Sequence, residues 1–145
     1  MGIIRGASAP SLIASCDKAT LSQAVSANTF TQIAPLPAAQ VNRNSSLNPT
    51  TGVFTPVVSG YYRISGASSS NAPGGTINNY VFLYQGSTSM RALGSSTGVP
   101  GTVLSVVAFS TTVFLTSGTP YHLRFFSTVA NTITEMHQAN EYVSP

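Results

Sequence analysis

An all-β sandwich is the fold class this sequence predicts, and three observations predict it. Short apolar runs recur along the chain at roughly 8–12-residue spacing with turn residues between them. Thr, Val, Tyr and Phe fill the runs, while Gly, Pro, Asn and Ser fill the gaps, matching strand and turn preferences. Charged residues are only 6% of the 145, with an apolar share of 42%. An ordinary chain carries about 25% charge, and disorder needs high charge with few apolar residues. A chain of this length forms one domain and buries about two thirds of its unfolded surface.

Residues 1–28 stand apart. They are rich in Ala and Ser, contain no aromatic residue, and carry their apolar residues as the pairs Ile3-Ile4 and Leu12-Ile13. Ala19 to Ala27 fits a short helix and an extended segment equally. This stretch is predicted to be an N-terminal arm outside the sandwich, and residues 29–145 to be the sandwich itself. Thr29–Ile33 makes a first strand that ends at Pro35-Leu36-Pro37, which cannot continue a ladder. Gln40–Leu47 reads as a short edge strand.

Asn48-Pro49-Thr50-Thr51-Gly52 is turn chemistry, because Pro fixes φ and Gly tolerates a positive one. Val53-Phe54 starts an extended run that Pro56 confines to an edge or a bulge. Ser59-Gly60 turns the chain. Tyr62, Ile64 and Gly66 then share one strand face, and Tyr61, Arg63 and Ser65 the other.

Ser68–Gly75 is a loop by composition. Ile77–Tyr84 is a strand with apolar residues on both faces, Val81 and Leu83 on one, Tyr80, Phe82 and Tyr84 on the other. A half-solvated sheet alternates cleanly instead, so the second face is predicted to be covered as well. Ser89–Leu93 forms a strand and Gly94–Gly101 a loop. Thr102–Leu115 is again apolar on both faces, with Val107, Phe109 and Leu115 opposed to Val106, Ala108 and Phe114. Ser117-Gly118-Thr119-Pro120 turns into Tyr121–Phe125, and Ile133–Val143 closes the sheet.

Two of these stretches carry a resemblance. Asn48, Thr51, Gly52, Phe54, Gly60 and Tyr62 follow the signature of the C1q/TNF-like family, roughly N-x-x-T-G-x-F-x-x-P-x-x-G-x-Y-x-F, with Ile64 where the family has Phe and the proline displaced to Pro56. Val113–Leu123 is similar to the family's L-x-L-x-x-G-D-x-V-x-L, with Thr119 for the Asp and Tyr121 for the Val. The resemblance runs from about Phe30 to the end. It implies a jelly roll of about eight to ten antiparallel strands preceded by the arm, and a homotrimer around a threefold axis. Tyr80, Phe82, Tyr84, Phe109 and Phe114 are the predicted trimer interface.

Chemistry is sparse. Asp17, Glu135 and Glu141 are the only carboxylates. The two glutamates are six residues apart, about 20 Å along a strand, which is too far for paired acid–base work. Calcium-binding family members use acidic clusters, and this chain has none; calcium wants six to eight oxygens, usually with several carboxylates. His122 and His137 fall on different strands and read as structural or surface residues. Cys16 is alone and reads as a small buried hydrophobe. No nucleophile elbow, P-loop or His-Glu-x-x-His motif occurs. The expectation is a non-enzyme with no cofactor and no metal.

The net charge of +3 comes from six scattered bases, none adjacent, so a nucleic-acid surface is not expected. No run of about 18 apolar residues is present for a membrane span, and Met1–Arg5 lacks the features of a signal peptide. Read as a whole chain, it resembles the C1q/TNF-like trimers of bacteriophage virions. The predicted function is a capsid decoration or cement protein, made in the host cytoplasm and resident on the capsid surface. Its partners are then itself and the major capsid protein, with Ile3, Ile4, Arg5, Leu12 and Ile13 as the docking arm. The alternative is a trimeric tail-fibre tip or adhesin that binds host-surface glycan through the loops 68–75 and 94–101. A secreted signalling ligand fits less well, because neither a signal sequence nor a disulfide pair is present.

Overall fold

The computed structural model describes residues 11–18, 22–34, 36, 40–71, 76–98 and 104–145. These residues form twelve strands: β1 Ser11–Lys18, β2 Gln23–Val25, β3 Thr31–Gln32, β4 Val41–Asn42, β5 Leu47–Asn48, β6 Val53–Phe54, β7 Gly60–Asn71, β8 Ile77–Gln85, β9 Thr88–Gly98, β10 Leu104–Leu115, β11 Tyr121–Ser127 and β12 Asn131–Ser144. Five of them are fragments of two or three residues, which is why the count exceeds the predicted eight to ten. No described helix is long and apolar enough to cross a membrane.

Two antiparallel sheets face each other. Sheet A runs β10-β7-β12-β1-β4, with β2 also paired to β12; sheet B runs β5-β6-β11-β8-β9, with β3 also on β11. Their inner faces meet in a core of alternating residues. Sheet A contributes Tyr62, Ile64, Val107, Phe109, Leu115, Ile133 and Met136; sheet B contributes Phe54, Val81, Leu83, Leu123 and Phe125.

The turn before β6 forms as its residues dictate. Asn48 Oδ1 accepts the backbone N–H groups of Thr50 and Thr51, at 3.0 and 3.3 Å. Gly52 has φ +70°, and a Cβ there would stand 2.3 Å from the Ile33 carbonyl oxygen. Only glycine fits both demands.

Several predicted boundaries move. Of the arm expected over residues 1–28, Ser11–Lys18 and Gln23–Val25 are strands of sheet A, and residues 1–10 and 19–21 lie outside the described residues. β1 pairs along β12 and with β4, and its Ala14 and Cys16 are buried in the core. A register shift between Leu12 and Ala14 breaks the period-two pattern, so the strand is hard to see in sequence. Ser68–Asn71 of the predicted loop is strand, because β7 continues to Asn71 with β10 on one side and β12 on the other, and residues 72–75 lie outside the described residues. The loop predicted from Gly94 is strand to Gly98. A Cβ at Gly94 would lie 2.5 Å from the Ala108 carbonyl oxygen, so glycine there lets β9 lie against β10 of the other sheet. Ser96 and Ser105 share a 3.0 Å hydrogen bond across the same junction. The long edge strands of the two sheets thus cover each other, and the opposite edges, β4 and β5, are only two residues long. Short or covered edges offer little template for another chain.

The core differs between its two ends. At one end, Phe54, Tyr62 and Tyr142 form edge-on pairs, with centroids 5.7 and 5.3 Å apart. At the other, Asn79 Nδ2 donates to the hydroxyls of Ser105 (3.0 Å) and Ser70 (3.4 Å), while Asn131 Nδ2 reaches Ser70, Asn79 and Ser127.

Candidate interaction surfaces

The outward faces of the two sheets carry the candidate residues, and they carry them separately. On sheet B, Tyr80, Phe82 and Tyr84 of β8 stand beside His122, Arg124 and Phe126 of β11, their cross-strand neighbours. Phe30, from the segment between β2 and β3, lies over this row, 5.2 Å from Phe82, 5.8 Å from Tyr84 and 4.7 Å from Phe126 between centroids. The second apolar face of β8 was predicted to be covered, and Phe30 of the same chain covers part of it. Phe30 is itself 40% exposed.

Tyr84 is buried beneath charge rather than at a free surface. The Arg124 guanidinium carbon sits 4.4 Å above its ring centroid, and His122 stacks against it. Arg124 Nε donates to His122 Nε2 at 3.0 Å, so that nitrogen must be unprotonated to accept. Burial, reinforced by the neighbouring Arg124 charge, pushes the His122 pKa below its ordinary value of 6.5. His122 does point away from the core, as its alternation with Tyr121 and Leu123 predicts, yet it is only 7% exposed.

On sheet A, Tyr61 and Phe114 are direct cross-strand neighbours, with ring centroids 5.4 Å apart, and both are 47% exposed. Val106 extends the apolar face toward the other end of β10. Between them the surface is small and flat, with Ala67 and Ala108 paired, and Ser65 opposite Ser110 on one side and Ala139 on the other. Arg63 forms an ion pair with Glu141 at the margin. Glu135 Oε2 lies 4.0 Å from His137 Nε2, also on this outward face.

The five residues predicted as one interface therefore divide three ways. Tyr80, Phe82 and Tyr84 lie on sheet B, Phe114 lies on sheet A, and Phe109 is in the core at 5% exposure. Phe109 and Phe114 differ by an odd number of positions on one strand, so they point to opposite faces. Of the predicted docking residues, Leu12 and Ile13 are half-buried in β1, with Ile13 packed against the core. Ile3, Ile4 and Arg5 lie outside the described residues. Tyr61, Phe30 and Phe126 were missed as surface aromatics, although the alternation Tyr61-Tyr62 places Tyr61 outward once Tyr62 is read as core. Among the described residues, no three His, Cys, Asp or Glu side chains gather where a metal could bind.

No protein-family model matches the chain, and no curated protein does. The fold is the C1q/TNF-like jelly roll. Eiger TNF from S. frugiperda superposes with a TM-score of 0.63 at 14% identity, over 92% of this chain and 94% of its own. The globular domain of zebrafish complement 1qA gives 0.58 at 17% identity, over 87% and 93%. PRD1 vertex protein P5 gives 0.60 at 12% identity, over 95% of this chain and 100% of its own.

Proposed function

We propose that the protein is a non-enzymatic virion component: a homotrimer that decorates a capsid and binds its major capsid protein. The observation that carries the self-association is the outward face of sheet A. A chain with 6% charge exposes the aromatic pair Tyr61 and Phe114 on a flat run of Ala and Ser. Large aromatic side chains on a smooth surface are the usual anchors of protein interfaces. Its likeness to the solved chain of PRD1 vertex protein P5, all of which is covered, supports the virion setting, as does the phage-trimer resemblance of the sequence. In this reading Tyr61, Phe114 and Val106 pack against a second subunit, and Ile3, Ile4 and Arg5 reach the capsid.

The test is sedimentation equilibrium of the full chain and of Phe114→Asp. A charge at the centre of an interface goes unpaired on association and costs several kcal/mol, so the variant should be monomeric and still folded. A native protein that sediments as a 15.0 kDa monomer refutes the trimer. Co-sedimentation with capsids then tests the partner, with Ile3→Asp/Ile4→Asp expected to lose attachment.

The second reading is a host-binding tip. It is favoured by the aromatic row Tyr80, Phe82 and Phe126 on sheet B, since aromatic faces suit sugar rings. Binding to host cells rather than to capsids would select it.

A further inference from the structure

One groove is not used by the reading above. It has a volume of about 300 Å³ and lies at the aromatic end of the sandwich, where β1 begins. Ile13, Val57, Val58, Tyr62 and Tyr142 give it apolar walls, and Arg43 stands at its rim. Val57 and Val58 are 53% and 55% exposed, and hydrogen bonds hold them there. Tyr62 donates to the Val58 carbonyl at 2.7 Å, and Ser117 Oγ to the Val57 carbonyl at 2.6 Å.

Arg43 is presented by an unusual turn. Asn44 and Ser45 follow it with φ +55° and +51°, two consecutive left-handed residues without glycine. Neighbours clamp this backbone in place. The Asn42 side chain donates to the Leu47 carbonyl at 2.7 Å and accepts the Leu47 N–H at 2.9 Å. Ser46 Oγ donates to the Arg43 carbonyl at 2.8 Å. Among the described residues the other arginines are occupied: Arg63 with Glu141, Arg91 with the Thr112 carbonyl, and Arg124 with Tyr84 and His122. The Arg43 guanidinium is exposed and has no such partner among the described residues. No described carboxylate lines the groove.

We propose that this groove binds an apolar peptide segment of another protein, one that carries a carboxylate beside its aliphatic side chains. The aliphatic groups fill the Val57–Val58–Tyr142 wall, and Arg43 takes the carboxylate, for which its fork of donors is suited. The Val57–Val58 wall and the backbone that carries Arg43 are already held in place, so on the protein side the ordering cost falls mainly on the Arg43 side chain. Residues 1–10 of the chain itself are a poorer occupant, since they contain Arg5 and no acid. The proposal needs neither the trimer nor the capsid.

The test titrates the full-length protein with a fluorescein-labelled peptide, Ser-Val-Leu-Val-Asp-Ser, and with its neutral twin containing Asn for Asp. Fluorescence anisotropy should show the acidic peptide binding about tenfold more tightly than the neutral one. Arg43→Gln should remove that preference while leaving the neutral peptide unchanged, and Val58→Asp should abolish binding of both. Amide NMR shifts should localise to 43–46, 57–58 and 142. Equal affinity for the two peptides, no binding, or shifts elsewhere would overturn the proposal. So would binding seen only after Ile3→Asp/Ile4→Asp, which would make the chain's own N-terminal segment the occupant.

Discussion

The two ends of the sandwich are built on different chemistry. At the β6 end the sheets are held apart by rings, with Phe54 against Tyr62 and Tyr62 against Tyr142. At the β2 end the same inner positions of β7 are Ser68 and Ser70, both fully buried, and the space is filled by Asn79, Ser105, Ser127 and Asn131. Burial of rings is favourable and non-directional. Burial of hydroxyls and amides is favourable only when every group finds a partner. The aromatic end should therefore supply stability, and the polar end should fix register while adding little net energy. Substitutions at the two ends test this difference.

The largest effect is expected at the aromatic end. Phe54→Ala should cost about 3–5 kcal/mol, because it removes a buried ring and leaves a void between the sheets. Urea denaturation followed by circular dichroism measures it as a lowered midpoint with unchanged slope. Asn79→Ala should cost about 1–3 kcal/mol by the same measurement. It takes one hydrogen-bond partner from each of Ser70, Ser105 and the Asn131 amide, which keep others, rather than emptying a large volume. If the two losses were equal, the polar end would be a source of stability in its own right and the contrast would fail.

Tyr62→Phe keeps the ring and deletes only the hydrogen bond to Val58, so the expected cost near neutral pH is about 1 kcal/mol. It also has a pH signature. Burial, with repulsion from Tyr142 added and the Val58 hydrogen bond opposing, raises the Tyr62 pKa above 10.0. The unfolded chain then loses this proton first. The contribution is complete below pH 10 and is lost as pH rises through the folded value. Melting temperatures from pH 8 to 11 should fall more steeply for the native protein than for Tyr62→Phe. The smallest effect belongs to Ser68→Ala. Ser68 Oγ is buried with no hydrogen-bond partner among the described residues, so its removal should be neutral or stabilising by up to about 1 kcal/mol. A loss of more than that would reveal a partner for the hydroxyl.

The same contrast explains what could be read from sequence. Around the aromatic end the alternation was legible: Tyr62 and Ile64 are buried while Tyr61 and Arg63 are exposed, as period two requires. β10 shows its inner face in the same way through Val107, Phe109 and Leu115. At the polar end it failed. Ser68-Ser69-Ser70-Asn71 has loop composition, and its strand state depends on partners more than 30 residues away on β10 and more than 60 away on β12. β1 was missed because its small residues and register shift hide the alternation. The candidate interface was half legible. Parity tells which residues share a face of one strand, but not that β8 and β10 belong to different sheets. The exposed cation at the groove was invisible, since only the positive φ of Asn44 and Ser45 and the Asn42 clamp aim it.

The position of β12 has a kinetic meaning. Residues 131–144 form the strand on which sheet A is centred, with β7 along one side and β1 and β2 along the other. During synthesis β1 emerges more than a hundred residues before β12, the strand it pairs with along its length. Until β12 leaves the ribosome, β1 and β7 lack their shared neighbour, and the inner faces of both stay open to water and to other chains. Pairing over such separations carries a large loop-closure cost before any contact rewards it. Folding of this domain should therefore be slow, all-or-none and completed only after its last strand has been released.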